Sequence, residues 1–441
     1  MILSLHPLIG FLPLILYIAL SFKGYDVTLV LLVSVILGAI LTGTNLFAFG
    51  QAIASGLGSF LGMIGFIILM GSGVGEVLTE TKVAQYIVWL VMKKLGVNNI
   101  RRAMIAVMLS SVLMVGLLGS LAGGNAILAP IVIPIVAALE MTPSTLAVLL
   151  HGAGATGLFL GPFVPPVVTT MGLTKISYLD YLLLTGIPVS VLVWIVTYLV
   201  AVRVQRDTAG KYSYSSEDIG MSGSDPSDFV NPKTKRAFTL FALAMLALVG
   251  YGIATKAGAA FVITVMLVVA FLTGWGAGFT PVQTLGALVK GGSRLYWIFF
   301  MFILYEPLLG FITKSGAFDW LTKWMTPYLQ GAGKGVFLIA STLVGLFGVP
   351  GAAVAQEKIM HDLFGPMVKS IGLPMNLWAL ALLLGSQLDF FVFPTGDIIG
   401  QMGLARSKDL VSMMKQGFLV TAAIIAYLLV VAAIYQFGFA G

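Results

Sequence analysis

Long apolar runs, separated by short polar or Gly/Pro-rich stretches, fill almost the whole of this sequence. Many exceed the roughly 17 residues that a helix needs to cross a bilayer, and they are continuous rather than alternating, which excludes a membrane β-barrel. The pattern predicts spans near 5–22, 25–43, 57–78, 103–119, 144–160 and 180–202. A second set follows near 237–253, 257–273, 295–313, 335–347, 375–393 and 417–437. Segments 83–97 and 316–328 are short and amphipathic, and suit helices lying in the interface. Segments 119–138 and 348–368 are apolar but studded with Gly and Pro. They are expected to form re-entrant hairpins, whose tips must be buried in protein or line a cavity.

The second set of spans repeats the punctuation of the first at an offset of roughly 231 residues. Thr42 and Gly43 answer to Thr273 and Gly274, Gly123 to Gly351, Met171 to Met402, and Gly186 to Gly417. Each copy carries a Pro/Gly-broken apolar stretch, Gly161–Pro166 in one and Phe391–Asp397 in the other. The expected organisation is a first span over 1–24, a transmembrane repeat over 25–202, a cytoplasmic linker over 203–236 and a second repeat over 237–441. Lys93, Lys94, Arg101 and Arg102 mark one loop as cytoplasmic, whereas its counterpart carries only Lys334. That asymmetry predicts insertion of the two halves in opposite senses, with both termini outside the cytoplasm. The linker, rich in basic residues at its ends and in Ser, Asp and Gly at its centre, is expected to be flexible.

With 59% hydrophobic and 9% charged residues, the chain cannot cover a water-soluble core. The expected fold class is an all-α polytopic membrane protein, built from two inverted-topology repeats with re-entrant hairpins and broken helices. The net charge of +7 sits in the loops and does not indicate nucleic acid. Met1 to Phe22 lacks a basic start and a small-residue cleavage site, so it is expected to be retained as a span. The absence of cysteine removes disulfides, thiolate chemistry and cysteine-based metal sites. No nucleotide-binding loop, His-Glu-x-x-His zinc motif or Gly-x-Ser-x-Gly elbow occurs, which argues against a pump or an intramembrane enzyme.

Four backbone breaks carry the candidate chemistry. Ser120, Gly123, Gly124 and Asn125 form the first; its amides and Asn125 can face a substrate, or Asn125 can tie helices together. The second runs from Thr156 to Pro165 and Pro166, where successive prolines remove donors and release carbonyls. His151 precedes it, as a proton relay or as a packing donor. Gly351 and Gln356 mark the third, suited to close backbone approach or to binding. The fourth holds Ser386, Asp389, Thr395 and Asp397. A carboxylate at membrane depth costs several kcal/mol unless protonated, paired or bound to a cation, so Asp389 and Asp397 are expected to bind sodium or exchange protons. Asp397 can alternatively cap the following helix. Glu306, next to Pro307, is a further candidate for cation coupling or for satisfying a kink. Glu76, Glu80 and Glu140, near span ends, are expected to be solvated, and Arg294 and Arg406 to snorkel. A carried anion is expected to be held by helix N-termini, amides, hydroxyls and a co-bound cation rather than by basic side chains.

The order of hairpin, broken helix and repeat resembles the ion transporter superfamily. Gly123, Gly124, Asn125 and Pro130, with the Pro-rich Gly161–Pro166 segment, resemble the gluconate/proton symporters and related sodium/proton antiporter families. The likeness covers nearly everything except 203–236; the Ser-Asn-Thr signature of the dicarboxylate branch is missing. It implies a homodimer with a moving transport unit in a bacterial inner (plasma) membrane. Paired broken helices in repeated halves point to a secondary transporter with its site at the repeat interface. The expected function is uptake of a small organic anion driven by a sodium or proton gradient. The alternative is a sodium/proton antiporter with no organic substrate. Beyond the coupling ion, no cofactor is expected.

Overall fold

Helix starts are written into the sequence as side chains that can accept an orphan N–H. Asp26, Asn45, Ser59, Asn99, Ser120, Thr142 and Asn231 each accept the backbone N–H three residues on and each precedes a helix. The computed structural model describes residues 6–220, 228–346 and 353–437. The first half contains α1 (Leu12–Phe22), α2 (Val27–Leu41), α3 (Leu46–Leu57), α4 (Phe60–Glu80) and α5 (Val83–Lys94). It continues with α6 (Ile100–Leu118), α7 (Leu121–Ala138), α8 (Pro143–Leu160), α9 (Pro165–Thr174), α10 (Tyr178–Tyr181) and α11 (Ile187–Thr208). A short α12 (Ser216–Gly220) follows. The second half contains α13 (Pro232–Thr255), α14 (Phe261–Ala277), α15 (Pro281–Ser293), α16 (Tyr296–Lys314) and α17 (Ala317–Ala332). It ends with α18 (Lys334–Leu346), α19 (Ala353–Ser370), α20 (Met375–Gln387), α21 (Asp389–Val392), α22 (Gly396–Leu404) and α23 (Leu410–Gln436). Among the described residues, nine helices are long and apolar enough to cross a membrane. This is a polytopic all-α membrane protein.

The first hairpin forms, but its turn falls at the very edge of the expected segment 119–138 rather than within it. Residues 121–138 make one continuous helix despite Pro130 and Pro134. Each proline removes a single intrahelical bond, and in a membrane neighbouring helices tolerate that loss. The turn lies instead at Gly119–Ser120, between α6 and α7. Gly119 holds φ +66°, a conformation that a side chain would strain. Likewise α19 is continuous, and α18, expected as a span, has 13 residues and reaches only about 20 Å. It packs on α19 as a hairpin arm; Gly351 and residues 347–352 between them lie outside the described residues. The linker is shorter than its polar sequence suggests, because α11 runs to Thr208 and α13 begins at Pro232. Its described part is tied down: Tyr214 donates to Ala405 O at 3.2 Å, and Asp218 lies 3.9 Å from Arg406. Hydrogen bonds from the Ser215 hydroxyl and backbone N–H hold the Asp218 carboxyl below its ordinary range.

Packing repeats as the elements do. A Cβ on Gly157 would meet Gly116 N at 2.7 Å where α8 crosses α6; one on Gly345 would meet Gly385 Cα at 2.8 Å where α18 crosses α20. Gly186 fits against Phe159 O, and its sequence counterpart Gly417 fits against Phe391 O. Contacts between halves are reciprocal: α9 packs on α19 and α20, while α22 packs on α7 and α8. Similarly α4 packs on α14, α15 and α16, while α16 packs on α2, α3 and α4.

Chain direction along the two broken helices is opposite. The start of α8 is held at the end of α11, where Gln205 accepts from Thr142 N (3.0 Å) and donates to Glu140 O (2.9 Å). The end of α22 is bonded to Tyr214, six residues beyond Thr208 and so within about 20 Å along the chain. At the other end, Ile176 and Asp180 after α9 share a cavity with Met375 at the start of α20. Gln436 accepts from Gly335 N at 2.9 Å, joining the end of α23 to the start of α18. Single cysteines in this cysteine-free chain test the resulting sidedness. In inside-out and right-side-out vesicles, an impermeant maleimide should label Asn98→Cys and Lys211→Cys from one face, and Ala260→Cys and Lys334→Cys from the other. Labelling of all four from one face would break the arrangement.

Candidate functional site

The first break is a corner built by Gly161 and by Pro165 and Pro166 at the start of α9, both prolines buried. Proline costs little there, because the first helical N–H groups have no intrahelical partner. The hairpin tip at Gly119 comes up against Pro165, with 3.3 Å between the proline Cδ and a Cβ built on the glycine. Ser120 caps α7 by accepting from Gly123 N at 3.1 Å. Gly123 is exposed at the tip, whereas Gly124 lets α7 lie directly on the backbone of Val115. Asn125 is fully buried. Its Oδ1 accepts from Ser111 Oγ (2.6 Å), and its Nδ2 donates to Leu150 O (2.9 Å) and Gln401 Oε1 (2.8 Å). It therefore joins α7 to α22 of the other half. Thr156 donates to Ala153 O and accepts from Trp194 Nε1, both within the first half.

His151 also bridges halves. Its Nε2 lies 3.0 Å from Phe390 O and its Nδ1 2.9 Å from the Gln416 amide, which reaches Thr197 at 3.2 Å. The amide orientation decides whether the ring is held neutral or charged: a neutral ring has one N–H to give, and Phe390 O takes it.

The second break follows α21. Thr395 occupies the N-cap position of α22, so Asp397 is not the cap; it sits in the first turn, where the helix N-terminus favours a carboxylate. Asp389 and Asp397 are half-buried and within electrostatic reach of each other. Among the buried side-chain atoms with no protein partner are Asp389 Oδ1, Thr395 Oγ1, Gln387 Oε1, Gln401 Nε2 and Thr169 Oγ1. All five belong to the two broken helices, and they are open to an ion, a ligand or water. Glu306 stays apart: α16 continues through Pro307, and no hydrogen bond or ion pair joins this acid to either aspartate.

One acid was missed from sequence and another misjudged, for one reason: sequence position does not reveal which face is covered. Glu357, directly after the expected site residue Gln356, is wholly buried between Thr170 Oγ1 (2.7 Å) and Ser386 Oγ (3.2 Å). Gln356 itself donates to Gly385 O at 2.7 Å. The available signal was a run of polar residues, Gln356 to Lys358 with His361 and Asp362, inside a segment otherwise read as membrane-embedded. Lys358 also corrects the expectation that no basic side chain enters the hairpins; it pairs with Asp362 at 2.5 Å. Glu76, expected to be solvated, is 5% exposed and bonded to Lys290 (2.6 Å) and Arg294 (2.7 Å). Arg294 thus pairs rather than snorkels. The bonds from Lys290 to Glu76 and then Glu80 hold its ammonium above its ordinary pKa.

A cavity of ≈ 580 Å³ opens beside the first break, between α4, α9 and the α13–α14 turn, with Lys175 and Lys256 among its lining residues. Asp180 lines it, whereas Glu76, Glu306, Glu357, Asp389 and Asp397 do not. A family model described as the GntP family permease matches residues 2–232, just over half of the 441. The chain belongs to the GntP permease family. No individual curated protein matches this permease by sequence. Among solved structures, it is similar to Neisseria gonorrhoeae MtrF, described as illuminating a class of antimetabolite efflux pumps. The TM-score is 0.60 at 14% identity, over 98% of this chain and 95% of that one. It is also similar to the Alcanivorax borkumensis YdaH transporter, described as having an unusual topology, with TM-score 0.64 at 12% identity over 93% and 98%. At those identities the likeness establishes the fold, and family and fold together make the chain a transporter rather than an enzyme.

Asn125 offers a direct test of how the halves are joined. Asn125→Ala strands Gln401 Oε1 and removes the acceptor at 2.6 Å of Ser111 Oγ. Interhelical hydrogen bonds in membranes average only about 0.6 kcal/mol, but a stranded buried group costs about 1–3 kcal/mol. Detergent unfolding should show Asn125→Ala destabilised within that larger range. Its effect should be non-additive with Gln401→Ala by at least about 0.5 kcal/mol; strict additivity would deny the bond between halves.

Proposed function

We propose that this permease carries a small organic anion, a carboxylate, across the membrane by alternating access, driven by a sodium or proton gradient. The observation that carries the reading is the second break, where Asp389 and Asp397 lie within electrostatic reach of each other, beside buried polar atoms without protein partners. Two carboxylates so placed repel unless a cation lies between them or one is protonated, and that is the requirement for a coupling site. The substrate groups would be Ser120, Gly123 and Gly124 at the exposed hairpin tip, Pro165 and Pro166 at the first break, and Ser386 and Thr395 at the second. Gly351 and Gln356 belong with them from the other hairpin. Asn125, Thr156 and His151 would act from behind, through the partners they already hold, with His151 fixing the Phe390 carbonyl beside the acids. Helix N-termini at Ser120 and Thr395 supply partial positive charge to an anion. The opposite run of α8–α9 and α20–α22, with reciprocal packing, supports two inverted repeats about a shared site.

A bacterial plasma membrane and a homodimer accompany this reading. The competing reading, sodium/proton antiport, uses the same acids and no organic substrate. Counterflow in proteoliposomes separates them, with gluconate first in a panel of carboxylates because the family's name points to it. Exchange of a labelled carboxylate supports the proposal; cation exchange with no carboxylate flux rejects it.

Coupling is tested by keeping shape and removing charge. Asp397→Asn, at the break itself, should abolish gradient-driven uptake at matched expression, and Asp389→Asn should reduce it. Sodium and protons should compete in the wild type if sodium drives transport, with uptake falling as pH is lowered. Wild-type cation dependence in the double variant would remove both aspartates from the mechanism.

A further inference from the structure

Glu357 is an acid that the reading above leaves unused. It lies in the first turns of α19, wholly buried, with one oxygen on Thr170 of α9 and the other on Ser386 of α20. No cation pairs with it among the described residues: Lys358, its neighbour, is taken by Asp362, and His361 accepts from Trp378 Nε1 at 3.1 Å. Of the elements packed on α19, α20 carries no charged residue and α9 only Lys175, exposed at its far end. Neither Glu306 and Lys314 on α16, Asp319, Lys323 and Tyr328 on α17, nor Lys334 on α18 bonds to Glu357. Tyr181 of α10 lies within electrostatic reach. A bare carboxylate so enclosed costs several kcal/mol, and its 2.7 Å contact with Thr170 is a hydrogen-bond distance with no gap for an ion.

The hydrogens around Ser386 can then be counted. Its Oγ lies 3.2 Å from Glu357 Oε1, 3.1 Å from Leu383 O, and accepts from Gln387 Nε2 at 3.3 Å. One hydroxyl hydrogen faces two acceptors, so it serves one at a time. With Glu357 ionised, Ser386 donates to the carboxylate. With a proton on Oε1, the new O–H donates to Ser386 and the serine hydrogen turns to Leu383 O, leaving every group satisfied.

We propose that Glu357 is a proton-carrying site of the transport cycle, separate from Asp389–Asp397, whose protonation state is read by Ser386 and Thr170. The proton is taken from water on one side, forms the O–H bond at Oε1, and is returned to water on the other; no other covalent bond changes. Thr170 belongs to the first half and Ser386 to the second, so the ionised acid favours an arrangement in which the α9–α19–α20 junction opens to water. The inference rests on the carrier reading above and adds the proton and its site to it.

Two measurements on the full chain keep the two ideas apart. In pH-difference infrared spectra of the reconstituted protein without substrate, the wild type should show a carboxylic C=O band that is absent in Glu357→Gln and shifted in Ser386→Ala. In proteoliposomes, Glu357→Gln should keep counterflow of labelled gluconate, or of whichever carboxylate the wild type exchanges, and lose uptake driven by a pH gradient. Glu357→Asp, which retains a titratable group, should recover part of that uptake. If the wild type exchanges no carboxylate, the carrier reading fails while the infrared band still reports on Glu357. A band unchanged in Glu357→Gln, pH-driven uptake persisting in that variant, or loss of sodium-driven uptake alone would each overturn the proposal.

Discussion

Hydrocarbon offers a backbone no hydrogen-bond partners, and the rest of this structure follows from that constraint. A helix interrupted at membrane depth exposes N–H and C=O groups that cost several kcal/mol each if left alone, so a break survives only where protein covers it. Here part of the cover for each break is supplied by the other half. The short helix α9 lies on α19 and α20, and α22 lies on α7 and α8. Each broken helix is covered partly by its own half, at Gly119 and Pro165 or at Gly417 and Phe391 O, and partly by the other, which makes the two halves interdependent there.

The interface between halves has two chemical characters. Along α4 and α15, backbones meet at Gly73 and Gly291, Ser72 bonds to Gly291 O, and Glu76 is saturated by Lys290 and Arg294. Every group there has its partner, and the close approach leaves no slack. Around the breaks the opposite holds: Thr169, Gln387, Asp389, Thr395 and Gln401 each keep a buried atom without a protein partner. Buried polar groups are nearly always paired, so these five atoms support the ligand site proposed at the breaks; seven other buried side-chain atoms among the described residues also lack a partner. A transporter needs both characters, a frame that does not move and a junction whose polar groups change partners.

The residues that link the junction show how a polar side chain can serve a site without facing it. Asn125 and His151 reach Gln401, Phe390 O and Gln416 in the opposite half, and Asn125 is also held by Ser111 and Leu150 O in its own. Such bonds fix the register of one broken helix against the other. They also explain why intramembrane Asn and His stand out in the sequence while giving no sign of whether they touch a ligand.

Much of the fold was legible in the sequence because membrane helices announce themselves by length and hydropathy, and because a repeated order of Gly and Pro marks repeated corners. The pairing of Gly186 with Gly417 anticipated two equivalent contacts, on Phe159 O and Phe391 O. The breaks at Pro165 and Thr395 were legible for the same reason: proline and glycine act locally, through their own φ and missing N–H. Partners act at a distance and were not legible. Residues 119–138 were expected to fold back on themselves because Gly and Pro weaken a helix, yet packing on α6 keeps 121–138 whole. Glu76 looked solvated at a span end and Glu357 was not singled out at all, because the helices that cover them lie far away in the sequence. Sequence alone determined that the chain is a polytopic helical membrane protein and where its two broken helices are interrupted. Only the tertiary structure decided which acids are buried and what holds them, because burial is a property of the neighbours.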